Sequence, residues 1–189
     1  MLTPRAPRRA RGVTLVEVLI GLLIVSILIA MAVPGFMGWI RNQRIRAAAE
    51  SILNGLQTAR AEALRANTIV EIQIGNGWTI TRSCTPEEVE EDADCAAVEI
   101  QSGGWSQGSL VAIAPSSSSF CFNGMGRRRV TADCDSHESV SVSSADGSAC
   151  VKDGGEARCL RIDVNSSDGI RMCDPALTTI NPNDPQACP

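Results

Sequence analysis

An apolar run near the start of the chain places the strongest constraint on its fold. The 23 residues from Val18 to Ile40 carry no charge, and as an α-helix they would be roughly 35 Å long, enough to cross a bilayer. Glu17 stands directly before this run, and residues 1–12 hold four arginines and no acid. Because an acid in a membrane-spanning helix is costly, Glu17 marks a functional position.

Three processing routes are open to such a segment. Ala30-Met31-Ala32 has the small-residue pattern of a secretory signal cleavage site, or the run could stay as a plain membrane anchor. The third route is cleavage after Gly12, which would create an amine at Val13 and make Glu17 the fifth residue of the product. Only this route gives Glu17 a use, since the amine and carboxylate of neighbouring subunits would neutralise each other. We therefore expect cleavage between Gly12 and Val13.

The helical pattern continues beyond the apolar run. Six small or apolar residues recur at spacings of four and three and form one stripe: Ile45, Ala49, Ile52, Leu56, Ala59 and Ala63. We expect one long helix from about Val13 to Asn67, apolar all round in its first half and amphipathic in its second. Pro34 removes a backbone donor, which predicts a kink or local melting at that point.

The N-terminal residues resemble a type IV prepilin. Gly12-Val13-Thr14-Leu15-Val16-Glu17, behind a short arginine-rich leader, is similar to the site of the prepilin peptidase, although the family usually has phenylalanine where this chain has Val13. By this resemblance Gly12 is the recognition residue, Val13 becomes the N-methylated N-terminus, and Glu17 pairs with a neighbouring subunit's amine during filament assembly.

The rest of the chain resembles the GspH/FimT group, which includes FimU-like minor pilins and type II secretion pseudopilins. The resemblance is carried by residues 50–67 (ESILNGLQTARAEALRAN), 120–129 (FCFNGMGRRR) and 158–173 (RCLRIDVNSSDGIRMC). It implies a structural subunit, a minor pilin of a type IV pilus in the tip or assembly-priming complex. The alternatives are a GspH-type secretion pseudopilin and a FimT-like DNA-uptake pilin.

This resemblance also implies partners and a location. The partners are other major and minor pilin subunits, the prepilin peptidase and, before assembly, the inner membrane. The chain would be a single-pass inner-membrane protein with its ectodomain facing the periplasm, and then part of a filament. No cofactor is expected.

Cysteine usage indicates an oxidising compartment. An even number of cysteines follows the apolar run, no C-x-x-C pair occurs, and His137 is the only histidine, so disulfides are favoured over zinc. Sequence alone leaves the pairing open, although Cys84–Cys95 would close an acidic excursion and Cys173–Cys188 would tie down the tail. The predicted disulfide cysteines are Cys84, Cys95, Cys121, Cys134, Cys150, Cys159, Cys173 and Cys188.

Strand-like segments fill the chain after residue 67. Residues 68–74 and 77–82 predict a hairpin around Gly75-Asn76, while 96–101, 110–114, 139–143 and 160–164 read as further strands. We expect residues 115–119 to be a loop and the proline-rich tail from Asp174 to be irregular. The fold class is α+β, with a long N-terminal helix packed on an antiparallel sheet. The expected divisions are leader 1–12, membrane half-helix 13–40, amphipathic half-helix 41–67 and β-rich ectodomain 68–189.

Other chemistry finds little support. Arg127, Arg128 and Arg129 form the only basic cluster of residues 68–189, where 18 acids face 8 bases, a formal −10. They are possible DNA contacts, but the acidic field makes nucleic acid an unlikely partner. Residues 163–169 miss the ligand spacing of a calcium loop, so we expect no metal. Catalytic motifs are missing, and we expect no enzyme.

Overall fold

The computed structural model describes residues 12–83, 97–105, 111–116, 118–129, 139–165 and 169–189, except for the side chain of Pro34. The chain divides into two compact units, Met1–Met37 and Gly38–Pro189. The first contains the apolar part of the long helix, and the second contains the amphipathic part together with all the strands.

Helix α1 runs from Leu15 to Ala66, within two residues of the predicted bounds. It begins where Thr14 accepts a hydrogen bond from the backbone of Glu17, and it is followed by Asn67, whose φ of 48° lies in the left-handed region. Asparagine tolerates that conformation better than most residues, which favours a helix end here. The helix is continuous through Pro34, so the local melting considered from the sequence does not occur; the kink stays a prediction.

The stripe predicted on the second half of α1 is the buried face of the helix. Its six residues are all fully buried, and Ala48 joins them. The helix is amphipathic only here, since the large apolar residues of its first half are exposed. The second half of α1 therefore packs within the core of its own unit.

Nine strands in the described ranges form two antiparallel sheets. The bounds are β1 Val70–Ile74, β2 Trp78–Ser83, β3 Ala97–Gly103, β4 Val111–Pro115, β5 Ser119–Phe122, β6 Arg128–Arg129, β7 Ser139–Ser144, β8 Leu160–Asn165 and β9 Gly169–Cys173. The strand order is β3-β2-β1-β5-β6 in one sheet and β4-β7-β8-β9 in the other. The prediction of an α+β fold with a long helix and antiparallel sheet is confirmed.

The predicted first hairpin forms with Ile74 opposite Trp78. The loop expected at residues 115–119 is shorter than predicted, because Pro115 ends β4 and Ser119 begins β5. Ser119 is buried as part of that strand. Because serine is polar, the sequence pattern did not indicate that a buried strand begins there. The hairpin implied for residues 158–173 is present as β8 and β9, with Asn165 opposite Gly169.

The C-terminal tail is more regular than its prolines suggested. Helix α2 covers Pro175–Ile180, with Pro175 at the start and Asp174 as the N-cap residue. Proline is favoured in the first turn of a helix because its missing N–H would have no partner there. The expectation of an irregular tail was therefore wrong for this segment.

Two disulfides join described cysteines. Cys173 is bonded to Cys188, which ties down the tail, and Cys150 is bonded to Cys159 around a 3-10 turn at Val151–Asp153. Cys121 is disulfide-bonded as well. Cys84, Cys95 and Cys134 lie outside the described residues.

One hydrophobic core lies beneath the strands of the described part of the second unit. The buried face of α1 belongs to one cluster with inward residues of both sheets, including Ile72, Phe122, Val142 and Ile162. Strand residues alternate between buried and exposed positions, as in β1 and β7. The core is built mainly from aliphatic residues, as the low aromatic content of 3% required.

Candidate functional site

The first half of α1 presents an apolar surface without protein cover in this chain. The span Leu15–Val33 has a mean hydropathy of 2.8, and none of it is buried. By length and composition it could cross a membrane, although core helices and signal sequences can pass the same test. An exposed apolar surface of this size marks a site of interaction with other proteins or with a membrane.

Polar groups inside this apolar segment are few and satisfied locally. The hydroxyl of Ser26 donates to the carbonyl of Leu22 at 2.7 Å, one turn earlier. The backbone is also uncovered at Gly21 and Gly35, where an added Cβ would meet no atom within 4 Å. The surface is thus compatible with an apolar surrounding, since no unpaired hydroxyl would enter it.

Glu17 lies in the first turn of the helix. Its backbone N–H donates to Oγ1 of Thr14 at 3.3 Å, and the N–H of Val18 donates to the carbonyl of Thr14 at 3.2 Å. Threonine followed three residues later by glutamate is the pattern of a capping box. A carboxylate at the N-terminal end of a helix interacts favourably with the helix dipole. This interaction offsets part of the free-energy cost of placing the charge in an apolar setting.

The predicted cleavage position lies just outside the helix. Gly12, Val13 and Thr14 have no regular secondary structure, and all three are exposed. A peptide bond in an exposed, non-helical segment is open to a peptidase. If the chain is cut there, the new amine would stand within a few residues of Glu17.

Comparisons with known proteins decide the family. The model of the family described as type II transport protein GspH matches residues 48–168, and the model of the prokaryotic N-terminal methylation motif matches residues 7–33. The chain belongs to the GspH family. It is therefore a pilin-type subunit of the GspH/FimT group, of a type IV pilus or a pseudopilus, as the sequence predicted.

One solved structure with a similar fold is the crystal structure of the type IV minor pilin FimU of Pseudomonas aeruginosa strain PAO1. It is 13% identical, with a TM-score of 0.47, and the match covers 69% of this chain and 88% of that one. Among curated proteins, none matches this GspH-family chain.

The arginine cluster of this GspH-family protein lies at a tight turn and a short edge strand. Oδ1 of Asn123 accepts hydrogen bonds from the backbone of Met125 and of Arg127, each at 3.0 Å, and β6 then pairs with β5. Arg127 and Arg129 are exposed, whereas Arg128 is half-buried. Arg128 and Arg129 are neighbouring strand residues, so their side chains point to opposite faces of β6.

A network around Arg41 escaped the sequence analysis. Nη1 of Arg41 donates to Oγ of Ser148 at 2.8 Å, and the guanidinium lies 3.8 Å from carboxylate oxygens of both Asp146 and Glu156. Hydrogen bonds from Ser148 and Ser144, with a smaller effect of Arg41, lower the pKa of Asp146 to about 2. The partners are over 100 positions from Arg41, so no local pattern could reveal them.

A second missed group surrounds the buried Asp174. Its Oδ1 accepts from the backbone of Ala176 at 2.9 Å, and Oδ2 accepts from Nη2 of Arg158 at 3.0 Å. The carboxylate therefore caps α2 and pairs with a cation. The capping pattern Asp-Pro before a short apolar segment was a signal that could have predicted α2.

One group of potential metal ligands occurs in the described ranges. Asp163 lies near Cys173 and Cys188, but these cysteines are bonded to each other, and a disulfide sulfur is not a thiolate ligand. Asp163 instead pairs with Arg161, with Oδ1 2.7 Å from Nε. Sγ of Cys173 lies 3.4 Å from Oδ2 of Asp163. Because a disulfide sulfur carries no hydrogen, this contact is not a hydrogen bond.

Proposed function

We propose that this protein is a minor pilin of a type IV pilus, cut between Gly12 and Val13 by a prepilin peptidase. The observation that carries the proposal is the uncovered apolar half of α1 with Glu17 in its first turn, in a chain of the GspH family with the methylation motif. Before assembly the chain is a single-pass inner-membrane protein with a periplasmic ectodomain. Val13 is then the methylated N-terminus.

Assembly follows from covering the apolar surface. The apolar half-helix leaves the lipid and packs among equivalent helices of major and minor pilins, so its apolar side chains stay out of water. The Glu17 carboxylate pairs with the Val13 amine of a neighbouring subunit, since an unpaired charge in that surrounding would be costly. We place the subunit in the tip or assembly-priming complex.

A pseudopilin of type II secretion is the second candidate, favoured by the description of the matching family. The two filaments demand the same helix, so the apolar segment does not separate them. The disulfide-bonded ectodomain favours the pilus. A DNA-uptake role has only the Arg127–Arg129 cluster to support it, and Arg128 and Arg129 point to opposite faces of β6.

Mass determination of the N-terminus tests the processing step. Protein purified from sheared surface filaments should begin at a methylated Val13, while Gly12→Glu should remain as uncut precursor in the inner membrane. Gly12→Ala is the control, because it keeps a small residue at the cleavage position and should still be cut. A mature N-terminus at Val33 would refute the proposal.

Deletion phenotypes separate the two filaments. Loss of this subunit should reduce surface pili and leave secretion of folded periplasmic proteins intact. The opposite pattern, impaired secretion with normal pili, would assign the chain to the secretion pseudopilus.

A further inference from the structure

A cavity of about 190 Å³ opens in the ectodomain beside the start of the amphipathic half of α1. Helix residues Asn42, Gln43 and Arg46 form one wall, and Arg158 and Gln186 belong to the other side. Leu160, Met172 and the Cys173 end of a disulfide add apolar surface to the lining. The cavity is larger than a single ion requires, and it combines an apolar part with a polar part.

Uncommitted hydrogen-bond donors dominate the polar part. Arg46 uses Nε for Glu50 and Arg158 uses Nε and Nη2 for Asp174, so both η nitrogens of Arg46 and Nη1 of Arg158 have no partner among the described residues. Oδ1 of Asn42 accepts from the backbone of Arg158 at 3.0 Å, and the Asn42 amide nitrogen has no hydrogen-bond partner among the described residues. Donors in excess of acceptors suit an anion.

The charges of the lining are consistent with an anionic ligand. Arg46 and Arg158 are both more than half exposed, whereas the Asp174 side chain is only 6% exposed and is already neutralised by the helix α2 N–H and by Arg158. The lining thus carries two cations and one anion, a formal charge of +1, and Glu50, which lies outside the lining, pairs with Arg46. Planar guanidinium groups bind phosphate oxygens with two parallel hydrogen bonds.

The position of the cavity along α1 suggests the source of the phosphate. Asn42 and Arg46 follow Ile40, the last residue of the uncharged run, by two and six residues, or about 3 and 9 Å along the helix axis. The headgroup layer on each side of a bilayer is roughly 5–8 Å thick. If the run spans the membrane, as the proposed function requires, the helix wall of the cavity begins at headgroup depth.

We propose that this cavity binds the phosphate of an anionic glycerophospholipid, with Arg46 and Arg158 as the phosphate ligands. The amides of Asn42, Gln43 and Gln186 bind the headgroup oxygens, and the apolar part of the lining contacts the glycerol and the first acyl carbons. The bound lipid holds the ectodomain at the membrane surface before assembly.

Titration of the membrane-extracted full chain in dodecyl maltoside with dihexanoyl phosphatidylglycerol, followed by native mass spectrometry, tests this site. The unaltered chain should bind one lipid saturably, and Arg46→Gln should weaken binding about tenfold, as expected for a lost charge-assisted hydrogen bond. Arg44→Gln removes the same charge from an exposed residue of the same helix that does not line the cavity, and it should leave binding unchanged. Gln186→Ala should also weaken binding, from the opposite wall.

Each alternative has its own signature. Equal weakening by Arg44→Gln and Arg46→Gln would overturn the site in favour of general attraction to a basic helix. Displacement of the lipid by equimolar inorganic phosphate would show that free phosphate is the ligand, and the absence of saturable binding would eliminate the cavity as a site. Retention of both variants in membranes after carbonate extraction reports on the anchor alone, so a failure of the cavity is distinguishable from a failure of the proposed function.

Discussion

Trp78 on β2 donates its indole Nε1–H to Oγ of Ser51 on α1 at 3.1 Å. The ring fills the space left by two glycines: a Cβ at Gly55 would come within 2.9 Å of Cδ2 of Trp78, and a Cβ at Gly103 would overlap the ring as well. One buried tryptophan therefore packs between the helix and the five-stranded sheet and hydrogen-bonds to the helix, in a core that has few other aromatic residues.

Gly55→Ala should destabilise the protein even though alanine is the better helix former. The added methyl group has to displace the indole, and overpacking of this kind costs about 1–3 kcal/mol, more than the helix-propensity gain of about 1 kcal/mol. Gly38→Ala makes the same change in the same helix where the space is open, and it should be neutral or stabilising. Thermal unfolding of both variants in detergent measures the contrast, and equal midpoints would contradict the packing argument.

Removal of the Cys173–Cys188 disulfide should release the tail. The two cysteines are 15 positions apart, and a bridge closing a loop of this size contributes about 3 kcal/mol. A Cys173→Ser/Cys188→Ser variant should therefore unfold at a lower temperature and lose protection of α2 in hydrogen exchange. The Cys150→Ser/Cys159→Ser variant is the matched control, since it should leave protection of α2 largely unchanged.

The carboxylate of Asp146 predicts a dependence of stability on pH. Its pKa of about 2 in the folded chain lies below the ordinary 3.8, chiefly because of the hydrogen bonds from Ser148 and Ser144. A lowered pKa means that the ionised group stabilises the fold above about pH 4 and that this contribution disappears as the pH falls toward 2. Asp146→Asn should thus lower the melting temperature at pH 7 and converge with the unaltered chain near pH 2.

Asp153→Asn, a change at another exposed aspartate, serves as the control for that comparison. It keeps the Ser144, Ser148 and Arg41 contacts in place. A melting-temperature difference for Asp146→Asn that stays constant from pH 7 to pH 2 would show that the amide acts through packing and not through charge.

Glu17→Ala should leave cleavage after Gly12 intact and reduce incorporation into filaments. The unpaired amine of a neighbouring subunit would remain in an apolar surrounding, where breaking a buried ion pair costs about 3–5 kcal/mol. Glu17→Gln keeps the shape of the side chain, removes its charge and should be nearly as defective. Ser26→Ala, within the same segment, should assemble normally because the serine hydroxyl bonds only to its own helix. The readout is the amount of each variant in sheared filaments relative to membranes, and normal recovery of Glu17→Ala would exclude the pairing.

Duplex DNA should bind the protein weakly and without sequence preference. Three phosphate contacts from Arg127, Arg128 and Arg129 would give a slope of only about −2.7 in a plot of log affinity against log salt, and residues 68–189 carry a formal charge of −10. We expect dissociation constants in the nonspecific range of about 10⁻⁴–10⁻⁶ M near physiological salt. Submicromolar binding that is lost in the triple alanine variant, and kept in Arg44→Ala, would identify a DNA-uptake pilin instead.

Periodic patterns made the helix and the first hairpin predictable. The spacing from Ile45 to Ala63 places its residues on one helical face whatever the partner is, and all of them are buried. The β1–β2 hairpin is similarly local, because its glycines and asparagine favour a tight turn between alternating strands. By contrast, of the kink or local melting predicted at Pro34, the melting does not occur, because α1 is continuous through that position.

What the sequence determined by itself is therefore local or compositional: the apolar half-helix with its single acid, the amphipathic half, the approximate strands and the preference for disulfides. The tertiary structure alone decided which cysteines meet, which acids face Arg41, and that Asn42 and Arg46 share a cavity with Arg158 and Gln186. These contacts join residues more than 100 positions apart, except within the disulfides, and they depend on the order in which the strands pair. Strand order is set by the summed burial of the whole core, so no short stretch of sequence contains it.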